Sequence, residues 1–190
     1  MFCTMKAQPV AWLGTLVILA TLLFSAGEST VIQDGIPVNN LSEYTVRYLS
    51  EDGNDMESCL SDQGYSPLNN SRTVEYCGSL IYALTGGYKN ESSNAANLVV
   101  VIQPGQYDIG DQGITILRYE NIFLTKMPGI VGEVIFKCSQ FLEDSFNNIY
   151  VVHGVNISLN SIVFTECGSF SSPLRLQHTL NVTISNCTFR

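Results

Sequence analysis

The sequence predicts an all-β chain wound as a parallel β-helix, and three observations predict it. After Asn97 the chain breaks into short β-type runs, "LVVVI", "ITIL", "NIFL", "EVIF", "IYVVH", "NISL", "IVF", "LRL" and "NVTI". Turns rich in Gly, Pro, Asn and Ser separate them, and no helical period lies between. The last two stretches repeat: shifted by 25 residues, Ile149, Val151 and His153 meet Leu174, Leu176 and His178. Val155, Ile157 and Leu159 likewise meet Leu180, Val182 and Ile184, and Phe164 meets Phe189. Finally, within each copy apolar and polar residues alternate, so one strand face is buried.

A unit of two or three strands cannot bury such a face alone. Copies stacked at a strand spacing of about 4.8 Å share one continuous core. An earlier copy fits at an offset of 35, with Ile114, Ile116, Asn121, Ile122 and Leu124 on Ile149, Val151, Asn156, Ile157 and Leu159. Its ten additional residues enter in the turns "TKMPGIVGE" and "SQFLEDSFNN". It departs at Glu120, where the other copies have Val155 and Leu180, and at Phe123, where they have Ser158 and Thr183. This register puts Asn156 and Asn181 outside. The expected architecture is about three coils over residues 98–190, with the solenoid running on beyond "CTF", so the chain reads as part of a longer protein.

Residues 44–97 read as an N-terminal cap. "TVRYL" is a strand, Gly53 marks a turn, and the Cys59-to-Cys77 stretch is a loop that a Cys59–Cys77 disulfide would staple, for about 3 kcal/mol. Residues 73–85 predict a helix: Thr73 is placed to cap it, and Glu75 suits the first turn. Val74, Cys77, Leu80, Ile81 and Leu84 make its apolar face, and Gly86-Gly87 ends it. Its expected role is to cover the open first coil, whose backbone edge would otherwise pair with another chain.

The N-terminus predicts export. Lys6, the 14-residue apolar run Ala11–Phe24, and small residues Ser25 and Gly27 before Glu28 lay out a signal peptide over residues 1–27. Fourteen apolar residues fall short of the roughly 20 that span a bilayer, and no second long run follows. Residues 28–43 form a polar leader. Six N-x-S/T sequons, at Asn40, Asn69, Asn90, Asn156, Asn181 and Asn186, predict surface glycosylation. Five cysteines follow the signal segment, and in an oxidising compartment most should pair. Cys138 and Cys167 each follow a coil-ending Phe, so neighbouring coils would bring them together; Cys187 is left without a partner.

The chain carries net charge −8, with 9 basic against 17 acidic residues. That surface repels phosphate backbones and argues against nucleic acid as a partner. Catalysis on a polysaccharide would need clustered carboxylates. The candidates are Asp108 with Asp111, and Glu143 with Asp144, all read as turn residues. His153 and His178 stack one coil apart, but Arg118 takes the same place one coil earlier, and a cation is not a metal ligand. Tyr107, Tyr119 and Tyr150 would stack on sugars if exposed, though strands favour tyrosine anyway. Neither metal, cofactor nor catalytic residue is expected.

The chain resembles extracellular right-handed β-helix proteins of the pectin-lyase-like superfamily, nearest to animal cell-surface members whose N-termini are similar to bacterial polymorphic outer-membrane proteins. "SEDGNDMESCL", "CGSLIYAL", "VVVIQPGQYDI" and the coil ends "IVFTEC" and "ISNCTF" carry the likeness. The resemblance implies the right-handed coil, and a membrane anchor only in a longer form. The expected function is that of a secreted or cell-surface glycoprotein module, non-enzymatic, recognising an extracellular protein or glycan. The alternatives are a polysaccharide lyase-like or hydrolase-like β-helix enzyme or its remnant, and a truncated product without independent function.

Overall fold

The computed structural model describes residues 32–33, 36–37, 41–65, 73–86, 96–109, 114–117, 120–138, 147–167 and 172–190. The signal segment, Asn40, Asn69, Asn90, Asp111, Arg118, Tyr119, Glu143 and Asp144 lie outside the described residues. A short antiparallel ribbon, β1 (Ile32–Gln33) with β2 (Ile36–Pro37), precedes a 3-10 turn at Leu41–Glu43. From there every strand pairing among the described residues is parallel.

The chain is a β-solenoid. After β3 (Thr45–Leu49), α1 (Glu57–Leu60), β4 (Tyr76–Cys77) and α2 (Leu80–Thr85), each coil visits three sheets in the same order. The first coil is β5 (Ala96–Ile102), β6 (Gly105–Asp108) and β7 (Ile114–Leu117). The second is β8 (Glu120–Lys126), β9 (Val134–Lys137) and β10 (Asn147–Val152). The third is β11 (Val155–Asn160), β12 (Ile162–Thr165) and β13 (Ser172–Gln177), and a fourth begins with β14 (Leu180–Ser185) and β15 (Thr188–Phe189). The turns therefore number about four rather than about three. Among the described residues the long sheet has the order β14-β11-β8-β5-β3-β4, and the other two are β15-β12-β9-β6 and β13-β10-β7.

The register is the one the repeat predicts. Ile157 pairs with Val182 and Ile122, Leu159 with Ile184 and Leu124, and Ile149 with Leu174 and Ile114. Between the second and third coils the offset falls from 35 in the long sheet to 28 and then 25. Seven of the ten extra residues thus sit in the turn after β8 and three in the turn after β9. Turns absorb them because only the strands must match their neighbours.

Two apolar layers result. The interior holds Leu98, Val100 and Ile102, then Ile122 and Leu124, then Ile157 and Leu159, beside an aromatic column on the four-stranded sheet. Tyr107, Phe136, Phe164 and Phe189 follow one another there at centroid separations of 6.1, 5.7 and 4.9 Å. A second cluster covers the outer face of the long sheet's N-terminal strands, where Val46, Val99, Val101 and Phe123 meet Tyr44 and Met127. "LVVVI" lacks alternation because both of its faces are covered, and all five side chains are fully buried.

The cap corrects the predicted helix. Residues 73–75 are irregular, Tyr76–Cys77 is a strand beside Tyr48–Leu49, and the helix begins only at Leu80. Ser79 rather than Thr73 caps it, accepting from Tyr82 N–H, and Gly86 closes it at φ 70° with its N–H on Tyr82 C=O. The apolar period across 73–85 merged strand and helix residues, since Cys77 is fixed by its disulfide to Cys59. Leu80, Ala83 and Leu84 join the interior cluster. Arg47, on the interior side of β3, donates to Ala83 C=O at 2.6 Å and Leu60 C=O at 3.1 Å, satisfying a carbonyl in the C-terminal turn of each helix.

One interlock explains the spacing of the N-terminal motifs. Gly53 lies against the Cys77 backbone, and Asn54 N–H donates to Tyr76 C=O. The Asp55 carboxylate accepts from Gly78 N–H, Ser79 N–H and the Ser79 hydroxyl. Glu51 in turn accepts from Gln106 N–H in the first coil, so the "EDGND" turn joins cap to solenoid.

Candidate functional site: the polar outer face of the long sheet

Along the long sheet the same outward register positions change character. Val99 and Val101 give way to Phe123 and Thr125, then to Ser158 and Asn160, then to Thr183 and Ser185. The apolar half is roofed by the cap and by Met127 and Ile130 of the inserted turn. The polar half is left as two adjoining grooves. One, of about 430 Å³, is walled by Lys126, Pro128 and Gly129 and floored by Ser158, Asn160 and Thr183. The other, of about 270 Å³, lies among Tyr44, Phe123, Asn156, Ser158, Asn181 and Thr183.

Ser158 belongs to both grooves. It is only 2% exposed, yet its hydroxyl has no hydrogen-bond partner among the described residues. A buried hydroxyl left unpaired costs on the order of 1–3 kcal/mol. Its neighbours are satisfied: Asn160 donates to Thr125 Oγ1 at 3.2 Å, and its Oδ1 accepts from Ser185 and Asn186 at 3.0 and 3.1 Å.

At the corner leading into the sheet, asparagines form a ladder. Asn121 donates to Asn97, Asn156 to Asn121 and Asn181 to Asn156, at 2.5, 2.5 and 3.0 Å. All four have φ between 53° and 61°, a left-handed conformation that asparagine tolerates better than most residues. Asn156 faces outward beside Ser158 in the smaller groove, but it is half-buried and its amide is a rung. Asn186 also has positive φ and donates to Asn160.

His153 and His178 stack at 5.0 Å, nearly parallel, on the exposed corner before β11 and β14. Among the described residues no group of three or more His, Cys, Asp or Glu converges. Asp108 is exposed at the end of β6, in register with Lys137, and Asp111 is outside the described residues. Tyr107 is not an exposed platform for sugars: it is buried, and its hydroxyl donates to Gln103 C=O at 2.8 Å. Burial, helped by the nearby Glu51 carboxylate, pushes that hydroxyl's pKa far up. Of Tyr150 only its place in β10 is described.

The structure pairs Cys59 with Cys77 inside the cap and Cys138 with Cys167 across the second and third coils. Cys187 is free, packs against the interior cluster and donates to Ser185 and Leu159 carbonyls at 3.3 and 3.6 Å. Burial raises its thiol pKa, which keeps it protonated and poorly reactive.

The site residues that sequence reasoning missed are Ser158, Asn160, Thr183 and Ser185. The signal was the departure at Phe123: the outward position changes from aromatic to hydroxyl once the cap no longer covers it. No family model, curated protein or solved structure matches the chain.

Proposed function

We propose that this chain is a secreted, non-enzymatic recognition module of an extracellular β-helix protein of the pectin-lyase-like kind, and that it binds through the polar outer face of the long sheet. The observation that carries this reading is the buried, unpaired Ser158 hydroxyl between two grooves of hydroxyls and carboxamides. These groups bind and orient; none is a strong nucleophile or base at neutral pH. Two disulfides suit an oxidising compartment, and among the described residues no helix is long and apolar enough to cross a membrane. A glycan, or a protein presenting backbone amides, offers the complementary donors and acceptors.

Ser158→Val separates binding from folding. Removing an unpaired buried hydroxyl should leave the urea midpoint equal to or above the parent's, because a desolvation cost disappears. Binding of the secreted chain to an array of neutral and acidic oligosaccharides, and to immobilised matrix proteins, should fall at least about tenfold, the scale of one lost hydrogen bond in a dry site. Undiminished binding by Ser158→Val would remove the groove from the proposal. Turnover of a uronic-acid polymer, lost in Asp108→Asn, would replace recognition with catalysis.

A further inference from the structure

We infer that the sequon at Asn156 is an architectural motif and not a glycan site in the folded protein, so that the polar groove beside it stays bare. Two independent demands write N-x-S/T at this place. The corner needs a residue that accepts positive φ and stacks its amide on the coil below, which is asparagine. Two residues later, on the outward face of the strand, the last two coils carry a hydroxyl in place of Val99 and Phe123. Asparagine at one position and serine or threonine two residues on is a sequon by coincidence. The same pair recurs 25 residues later as Asn181 and Thr183, while Asn97 and Asn121 form the same ladder without a sequon.

The ladder also disfavours the modification. N-glycosylation replaces one of the two hydrogens on Nδ2, so the sugar must share that nitrogen with the hydrogen bond Asn156 donates to Asn121. Asn156 is an internal rung, with Asn121 on one side and Asn181 donating to its Oδ1 on the other. Rungs are one strand spacing apart, about 4.8 Å. A sugar on that nitrogen would have to leave through the groove past Tyr44, Ser158 and Thr183, filling the space that any ligand would use. The inference is confined to Asn156, the sequon asparagine with a described rung on each side.

The test is glycopeptide mass spectrometry on the secreted, monomeric full chain from a mammalian host, with enzymatic deglycosylation in heavy-oxygen water to mark occupied asparagines. The Asn156 peptide should be unmarked. Ser158→Ala abolishes the sequon but leaves the ladder, and should migrate on a gel as the parent does. Asn156→Gln abolishes both; its secreted yield should fall several-fold. A marked Asn156 in monomeric protein, or a one-glycan mobility shift in Ser158→Ala, would overturn the inference, as would parental yield from Asn156→Gln. If Asn156→Gln is not secreted at all, the Ser158→Ala mobility still decides. The outcome does not depend on whether the groove binds anything.

Discussion

Phe164→Ala should abolish cooperative folding or come close to it. Phe164 is fully buried, touching Phe136 edge-on at 5.7 Å and stacked on Phe189 at 4.9 Å. Truncating a buried phenylalanine costs about 3–5 kcal/mol. Each lost aromatic pair adds about 0.5–1.5 kcal/mol. A domain of this size holds only about 5–15 kcal/mol in all. The solenoid cannot collapse into the hole, because strands above and below fix the ring's layer. Urea unfolding followed by circular dichroism should show the midpoint fall steeply or the transition vanish. Phe189→Ala is the control: its ring is 52% exposed and should cost far less. Equal costs at the two positions would mean that Phe164 is not interior.

Gly53→Ala should be nearly as damaging, though it adds one methyl group on a turn. A Cβ there would lie 2.3 Å from Cys77 O, 2.5 Å from Cys77 C and 2.7 Å from Tyr76 O. All three are backbone atoms, and they are held from several sides. Cys77 is tied to Cys59, Asn54 N–H bonds Tyr76 C=O at 2.9 Å, and Ser50 N–H bonds Cys77 C=O at 3.1 Å. The facing Gly78 is crowded in the same way, with a Cβ 2.6 Å from Gly53 O. Space, not backbone freedom, demands glycine here. We expect a loss above about 3 kcal/mol, at the severe end for single substitutions, seen as low secreted yield and a lowered urea midpoint. Parental stability would mean that the two turns do not touch.

These two residues also show how far the sequence could be read. Phe164 and Phe189 were legible because each coil returns a residue to the same layer, so the 25-residue repeat carried register, interior and turn positions together. The 35-residue copy worked equally well because insertions fall in turns. Gly53 was visible as a turn marker, but not its contact with Cys77, since backbone proximity across 24 residues leaves no periodic trace.

The helix starts later than the sequence predicts because the 3.6-residue spacing continues by accident through Tyr76–Cys77, where a sheet edge and a disulfide set the conformation. Period-2 alternation places Asn156 outward, where it lines the groove, but its left-handed backbone and its amide ladder leave no trace in that alternation. The groove was half legible. Ser158 and Thr183 stood out against Phe123, but alternation cannot say which outer face the cap roofs and which it leaves open.

The architecture requires the 25-residue repeat to be one turn of the solenoid, and disulfide trapping tests that directly. His153 and His178 stack at 5.0 Å, with His153 N–H on Gln177 C=O. Adjacent strand positions about 4.8 Å apart fall within the range of roughly 4.4–6.8 Å between Cα atoms that a disulfide bridges. In a Cys187→Ser background, His153→Cys with His178→Cys should link intramolecularly under mild oxidation, as read by peptide mass spectrometry. His153→Cys with Arg175→Cys, three residues out of register, should not. A link in the second pair and none in the first would contradict the stacked coil.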